Sequence, residues 1–313
     1  MNPLRKILLK ALTPPDYNLK KNYALHRKFM NAVNPYIRPF YKLSDHKIMA
    51  EGREIPVRIF FPRKQGTNRI LIFFHGGGWV TGNIDSYTHV CANMANQTLH
   101  NVISVDYRLA PENPFPKGLE DCYHVTREIF EKCDFFQCKP EDITLIGDSA
   151  GGNLAAAVSL MARDRGEFKP QRQILIYPAT NNDHGPNSPF PSIRENGTDY
   201  ILTSKRIQDY MDLYVTKEED RLNPYVAPLL EKNLSQQPDT LIITAQYDPL
   251  RDEGEAYGLK LAEDGNRVSH YRMEDAVHGF FAMPWHSDYV QKCYLCINSF
   301  LNQGEYHETT EKN

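Results

Sequence analysis

The chain has 313 residues, of which 41% are hydrophobic and 24% are charged, and its formal net charge is −3. These values are typical of a soluble globular protein and argue against a nucleic-acid-binding surface, which needs a concentrated basic stripe. No apolar stretch is long enough for a transmembrane helix, and Lys10 interrupts an N-terminal apolar run that is too short for a signal peptide. We therefore expect a cytoplasmic protein without a stable membrane anchor.

The first 45 residues predict a helical segment. Leu25, Phe29 and Val33 recur at helical spacing, and an apolar stripe of this kind predicts a helix face that packs on the rest of the protein.

Strand-like apolar runs then alternate with helix-like segments, which is typical of a mainly parallel sheet covered by helices on both faces. The predicted strands are 55–61, 70–74, 102–107, 142–147, 173–177, 240–245 and 267–273. The predicted helices are 117–132, 149–163, 252–264 and 287–302. The alternation breaks between about 179 and 235, where prolines accumulate around a helix-like stretch at 205–214. This interruption predicts an insertion over the sheet, and a polar tail follows residue 303.

The sequence GDSAG at 147–151 fits the G-x-S-x-G nucleophile elbow, in which a serine occupies a sharp strand-to-helix turn. By itself the motif also fits an ordinary flexible loop or a phosphate-binding turn. The context favours the elbow, because an apolar strand precedes it and Leu154, Val158 and Met161 continue with helical spacing. Ser149 is therefore the candidate nucleophile.

A second glycine-rich sequence, HGGGW at 75–79, follows the predicted strand 70–74. Backbone amides in such a loop can donate hydrogen bonds to a developing oxyanion. We expect His75 to orient this loop rather than to act as a catalytic base.

A serine nucleophile needs a base and an acid, and functional side chains of an open α/β sheet gather at the carboxyl ends of its strands. Asp248 and His278 each follow a predicted strand, in the chain order Ser, Asp, His. Asp248 could alternatively begin a turn or cap the next helix. Asp252 and Glu253 fit the first turn of that helix, where acidic groups interact favourably with its dipole.

Together these motifs resemble the hormone-sensitive-lipase family of α/β-hydrolase esterases, in particular its bacterial acetyl-esterase-like members with GDSAG. Five motifs in the expected order carry the resemblance: HGGGW at 75–79, DYRLAPE at 106–112, GDSAGG at 147–152, DPLRDEG at 248–254 and HGF at 278–280.

The resemblance implies an α/β-hydrolase fold with a helical cap. It assigns a catalytic core to 46–178 and 236–302, a cap to 1–45 and 179–235, and the polar tail to 303–313. It implies Ser149 as nucleophile, Asp248 as the orienting acid and His278 as the base, without a metal or organic cofactor. It further implies an oxyanion hole formed by the amides of Gly77, Gly78 and Ala150. The supporting residues within the motifs are His75, Gly76, Trp79 and Asp148.

The resulting prediction is a serine carboxylesterase that hydrolyses short-chain acyl esters, above all acetyl esters, through an acyl-enzyme. An amidase or small-peptide hydrolase with the same triad is the alternative. A non-catalytic binding protein on this scaffold is disfavoured, because His278 is present in its motif. The expected partner is a small ester substrate, with a homodimer left open because family members often pair through the last strand and helix.

Overall fold

The computed structural model describes residues 18–33, 41–282 and 287–302. Its strands are β1 Leu43–Ala50, β2 Arg53–Phe60, β3 Ile70–Phe74, β4 Asn101–Val105, β5 Ile143–Asp148, β6 Arg172–Ile176, β7 Asp239–Tyr247 and β8 Val268–Val277. They form one sheet in the order β1-β2-β4-β3-β5-β6-β7-β8. The pairs β1–β2 and β2–β4 are antiparallel, and the remaining pairs are parallel.

The described helices are α1 Leu19–Val33, α2 Thr88–Thr98, α3 Lys117–Glu131, α4 Cys133–Phe136, α5 Ala150–Arg165, α6 Pro191–Asn196, α7 Ser204–Tyr214, α8 Arg251–Glu263 and α9 Ser287–Leu301. Helices α3, α5 and α8 cover one face of the sheet, and α2 and α9 cover the other. This arrangement confirms the predicted sheet with helices on both faces. None of the helices in the described ranges has the length and apolar character needed to cross a membrane.

Strand β3 shows how the core is divided between the two faces. Ile70, Ile72 and Phe74 pack into one apolar cluster, whereas Leu71 and Phe73 pack into the other. Successive side chains of a strand point to opposite faces, so a strand covered on both sides must be apolar throughout. This requirement explains why a continuous apolar run was sufficient to predict the strand.

Strands β1 and β2 form a hairpin whose turn is made by Glu51 and Gly52, with φ angles of 50° and 75°. Two residues with positive φ give the turn a twist that matches the flanking strands. The predicted helical segment 1–45 is therefore wrong for residues 43–45, because β1 begins at Leu43. This edge strand has only exposed and half-buried side chains and so lacks the apolar run that signals a central strand.

Helix α1 turns a different face from the predicted one toward the rest of the protein, and this face combines the buried Leu19 with the polar side chains of His26 and Arg27. Leu25 and Phe29 are 71% and 65% exposed, whereas His26 is only 6% exposed. The prediction that the leucine and phenylalanine stripe packs inward is therefore wrong. The helix lies over backbone amides and carbonyls, to which Arg27 and Asn31 form hydrogen bonds.

Helix α2 is absent from the sequence-based prediction. Seven of its eleven residues are buried, over a face about 200° wide that includes Thr88 and Thr98 as well as apolar residues. A helix buried on this scale has no narrow apolar stripe, so its sequence lacks the periodicity on which the prediction relied.

Between β6 and β7 the described chain forms helices α6 and α7 and two short 3₁₀ helices, Glu218–Leu222 and Pro228–Leu230. The predicted helix at 205–214 corresponds to α7. Of the predicted cap and tail, residues 1–17, 34–40 and 303–313 lie outside the described residues.

Candidate active site

The turn between β5 and α5 brings Ser149 to the edge of the sheet. Ser149 has φ 56° and ψ −118°, a conformation that L-residues rarely adopt and that the surroundings must hold in place. A Cβ on Gly147 would lie 2.2 Å from the carbonyl oxygen of Gly151, and a Cβ on Gly151 would lie 1.9 Å from that of Phe74. The two glycines are thus required by the close approach of three backbone segments.

His278 connects Ser149 with Asp248 through two hydrogen bonds. Its Nε2 lies 2.9 Å from Ser149 Oγ, and its Nδ1 lies 2.7 Å from Asp248 Oδ2. A carboxylate can only accept, so Nδ1–H donates to Asp248, and Nε2 is left to accept the proton of the serine hydroxyl. The imidazole side chain is 11% exposed and the aspartate is fully buried. This geometry can deliver a serine oxygen nucleophile.

The sheet explains why residues so distant in sequence meet. Ser149, Asp248 and His278 directly follow β5, β7 and β8, whose carboxyl ends lie at one edge of the sheet. The Asp248 carboxylate is further fixed by its Oδ1 atom, which accepts a hydrogen bond of 2.9 Å from the amide of Leu250. The Asn196 side-chain amide donates to the backbone carbonyl of Asp248 at 3.2 Å. Asp248 is therefore more than a helix cap.

The glycine-rich loop after β3 has positive φ at three successive residues, with 113° at Gly77, 61° at Gly78 and 59° at Trp79. The carbonyl of Gly77 accepts from the amide of Thr81 at 2.9 Å. Within the described ranges the amides of Gly77, Gly78 and Ala150 donate to no other protein group. An oxyanion hole requires amides without a protein acceptor, so its assignment to these three residues stays a prediction.

The carboxyl group of Asp148 joins the glycine loop to the elbow. It accepts from the amide of Gly76 at 2.8 Å and from the hydroxyls of Tyr87 and Tyr177 at 3.2 and 3.4 Å. Burial raises the pKa of Asp148 to about 6, and these three hydrogen bonds act in the opposite direction. The ring of Tyr177 also lies 4.8 Å from the ring of His278. Both tyrosines were missed in the sequence, although Tyr177 directly follows β6 and strand ends are where site residues gather.

His75 packs against the residues that hold the loop, and none of its hydrogen bonds within the described ranges reaches Ser149. Its ring stacks on Tyr107 at 4.3 Å, and its Nδ1 is 2.8 Å from the carbonyl of Gly76. Burial lowers the pKa of His75, which favours the neutral imidazole. Trp79 stacks on Tyr214 with a ring separation of 4.5 Å. These contacts agree with an orienting role for the residues around the three glycines.

The DYRLAPE segment at 106–112 supports the same loop. Asp106 Oδ1 accepts from the amide of Ile84 at 3.2 Å, and the Tyr107 hydroxyl donates to the carbonyl of His75 at 2.7 Å. The amide of Ala110 donates to the carbonyl of Trp79 at 2.9 Å.

A second buried acid–histidine contact was also missed. His184 Nε2 lies 2.9 Å from Glu253 Oε2, and both side chains are fully buried. The other carboxylate oxygen of Glu253 accepts from the amides of Thr180 and Asn181 at 2.8 and 3.2 Å. Glu253 thus anchors the chain that leaves β6, in addition to occupying the first turn of α8 as predicted.

Comparison with known proteins identifies the family. Residues 71–282 match a protein family whose description is "alpha/beta hydrolase fold". An arylesterase of Saccharolobus solfataricus is 36% identical over 247 residues, which cover 79% of either chain. An ethyl acetate hydrolase of Pseudomonas putida is 32% identical over 74% of this chain and 73% of its own. The chain belongs to the hormone-sensitive-lipase family of α/β-hydrolase esterases.

As a member of this family, the chain is a carboxylic ester hydrolase. The solved structure of a Pyrobaculum calidifontis esterase superposes on this esterase with a TM-score of 0.82 and 35% identity, covering 96% of this chain and 98% of the other. The agreement confirms the predicted α/β-hydrolase fold. The five motifs on which the resemblance rests, from His75 to Phe280, all lie within the matched range.

Among the described residues of the esterase, no group of three or more histidine, cysteine, aspartate or glutamate side chains is arranged to hold a metal ion.

Proposed function

We propose that this esterase hydrolyses short-chain acyl esters, above all acetyl esters, through an acyl-enzyme on Ser149. The observation that carries the proposal is the hydrogen-bonded series from Ser149 through His278 to Asp248, with separations of 2.9 and 2.7 Å. The preference for acetyl esters is supported by the family resemblance and by the 32% identical relative that is named an ethyl acetate hydrolase.

In the first half of the reaction, Ser149 Oγ attacks the ester carbonyl while His278 Nε2 takes the hydroxyl proton. The negative charge that develops on the carbonyl oxygen is stabilised by the amides of Gly77, Gly78 and Ala150. Collapse of this tetrahedral intermediate breaks the bond to the alcohol oxygen, which receives the proton from His278. Asp248 keeps the imidazole in its working tautomer and stabilises its positive charge.

In the second half, water replaces the alcohol. His278 takes a proton from the water as its oxygen attacks the acyl carbonyl, and the same three amides stabilise the second tetrahedral intermediate. The bond to Ser149 Oγ then breaks, the serine regains its proton from His278, and the carboxylic acid leaves.

Turnover of a substrate series by matched serine variants tests this function. The substrates are p-nitrophenyl acetate, butyrate and octanoate, together with p-nitroacetanilide. Ser149→Ala removes the nucleophile, so we expect ester turnover to fall by about 10⁴-fold or more with unchanged thermal unfolding. The control is Ser269→Ala. Ser269 lies at the opposite end of β8 from His278, so this variant should retain wild-type rates. In the wild type we expect kcat/KM to be highest for acetate.

Near-normal ester hydrolysis by Ser149→Ala would contradict the catalytic assignment. A higher kcat/KM for octanoate than for acetate would contradict the acyl preference. Faster turnover of the anilide than of the acetate ester would favour the amidase alternative.

A further inference from the structure

The glycine-rich loop needs support from its surroundings, because Gly77 and Gly78 restrain the backbone little and the positive φ of Trp79 is costly for a residue with a side chain. The sheet side provides part of this support through Asp148, which accepts from the amide of Gly76. The opposite side of the loop is covered by α1 and α7.

Helix α1 forms direct hydrogen bonds to the backbone immediately after Gly77, Gly78 and Trp79. Arg27 Nε donates to the carbonyl of Val80 at 2.6 Å, and Asn31 Oδ1 accepts from the amide of Gly82 at 3.0 Å. These bonds fix both a carbonyl and an amide of the loop to side chains one turn apart on a single helix.

The guanidinium of Arg27 also reaches the second segment that holds the loop. Its Nη2 donates to the carbonyl of Ala110 at 2.7 Å, and the amide of Ala110 in turn donates to the carbonyl of Trp79. Glu112 accepts from Nη1 and Nη2 at 3.0 and 2.8 Å. The paired contact with Glu112 fixes the guanidinium plane, because two parallel hydrogen bonds restrict its rotation.

A third contact places an aromatic wall behind Gly78. The ring of Tyr210, on α7, is so close that a Cβ on Gly78 would lie 2.4 Å from its Cγ. His26 on α1 holds this tyrosine through a contact of 2.8 Å between Nε2 and the phenolic oxygen, and both residues are buried. Movement of α1 would thus be transmitted to a residue of the proposed oxyanion hole.

We propose that α1 positions the oxyanion hole of this esterase, with Arg27 and Asn31 as positioning residues that act through the loop backbone. The inference rests on the proposed function, because it concerns the amides of Gly77 and Gly78 as oxyanion donors. An oxyanion hole binds the tetrahedral state more strongly than the ground-state carbonyl. Loss of the positioning contacts should therefore lower kcat while KM changes little.

Arg27→Met tests the proposal, because it keeps an unbranched apolar stem and removes all the donors. We expect kcat for p-nitrophenyl acetate to fall roughly ten-fold, less than the 10²–10³ typical of losing an oxyanion donor outright, with KM within about two-fold. Arg27→Lys should recover part of the loss. Lys28→Met removes an exposed cation of the same helix and serves as the control with unchanged kcat. Asn31→Ala should lower kcat in the same direction and carries the test if Arg27→Met does not fold.

A reversible trifluoromethyl ketone inhibitor provides a readout that general destabilisation would not reproduce. Ser149 Oγ adds to the ketone carbon, and the resulting oxyanion occupies the hole, so the inhibition constant should rise by the factor by which kcat falls. Equal kcat and equal inhibitor affinity in Arg27→Met and Lys28→Met would overturn the inference, as would an effect on KM alone. In those cases the wild type would still hydrolyse the ester, and the proposed function would be unaffected. A wild type that does not hydrolyse the ester would overturn the proposed function as well.

Discussion

The single carboxyl group of Asp148 joins three parts of the site that lie far apart in sequence. It accepts a hydrogen bond from Gly76 in the glycine loop, from Tyr87 before α2 and from Tyr177 beside His278. Because the group is fully buried, its charge is stabilised by these three donors and by the charge interaction with His278. Its protonation therefore contributes to the pH dependence of stability.

We predict a pH-dependent difference in stability between the wild type and Asp148→Asn. Burial raises the pKa of Asp148 to about 6, whereas an unfolded aspartate titrates near pH ~3.9. Between these pH values the folded protein holds a proton that the unfolded chain has lost, so this group's contribution to the free energy of unfolding falls as pH rises. The difference between the folded and unfolded pKa values corresponds to about 3 kcal/mol of unfolding free energy across the whole titration.

Urea unfolding of both proteins from pH 4 to pH 7 measures the effect. The asparagine amide does not titrate, so the wild type should lose about 2 kcal/mol relative to Asp148→Asn over this range, since the unfolded aspartate is still partly protonated at pH 4. A difference that stays constant with pH would contradict the assignment of the raised pKa to Asp148.

The sequence singles out individual residues where a short motif specifies the chemistry, and the structure brings three of them within hydrogen-bond distance of one another. Ser149, Asp248 and His278 follow strands, and their residue types match a known division of labour. Tyr87 and Tyr177 carry no such signal, because a tyrosine near apolar residues reads as core until the structure shows where its hydroxyl points. The two tyrosines contribute to the site only because the fold brings their hydroxyls to the carboxyl group of Asp148.

At the scale of elements, the buried Glu253 fixes the chain after β6 to α8. Glu253 accepts from the amides of Thr180 and Asn181, and the hydroxyl of Thr180 donates back to the carbonyl of Glu253 at 2.9 Å. The segment so anchored leads from the end of β6, where Tyr177 packs on His278. Glu253 therefore belongs to the framework of the site.

We predict that Glu253→Ala lowers the free energy of unfolding by about 2–6 kcal/mol, because it leaves two buried amides without an acceptor at about 1–3 kcal/mol each. Glu263→Ala on the same helix is the control, since this side chain is exposed and should change stability by less than about 0.5 kcal/mol. Urea unfolding at pH 7 measures both. Equal stabilities of the two variants would show that Glu253 does not anchor the segment.

Element prediction succeeded for central strands and failed where packing reversed the expected pattern. Strand β3 is apolar on both faces because helices cover both faces. In α1, by contrast, Leu25 and Phe29 are exposed, and the inward face carries polar side chains that meet a loop backbone. The helical spacing of apolar residues in the sequence shows where an apolar face would lie. It does not show which face of the helix packs, because this depends on the segment against which the helix lies.

At the scale of the whole molecule, the parallel order of β5, β6, β7 and β8 brings the candidate catalytic groups to one edge of the sheet. This part of the fold followed from the alternation of strands and helices and from the motif order. The division into core and cap and the homodimer remain predictions, the latter involving β8, which is the last strand of the sheet.

The central claim is that Ser149 forms a covalent intermediate with the help of His278 and Asp248. Reaction with diethyl p-nitrophenyl phosphate tests it most directly, because attack of Ser149 Oγ on phosphorus expels p-nitrophenolate and leaves a stable diethylphosphoryl ester. We predict one equivalent of p-nitrophenolate, loss of esterase turnover in parallel, and a single label in the peptide that contains Ser149. A label on another residue, or full turnover by the completely labelled protein, would contradict the account.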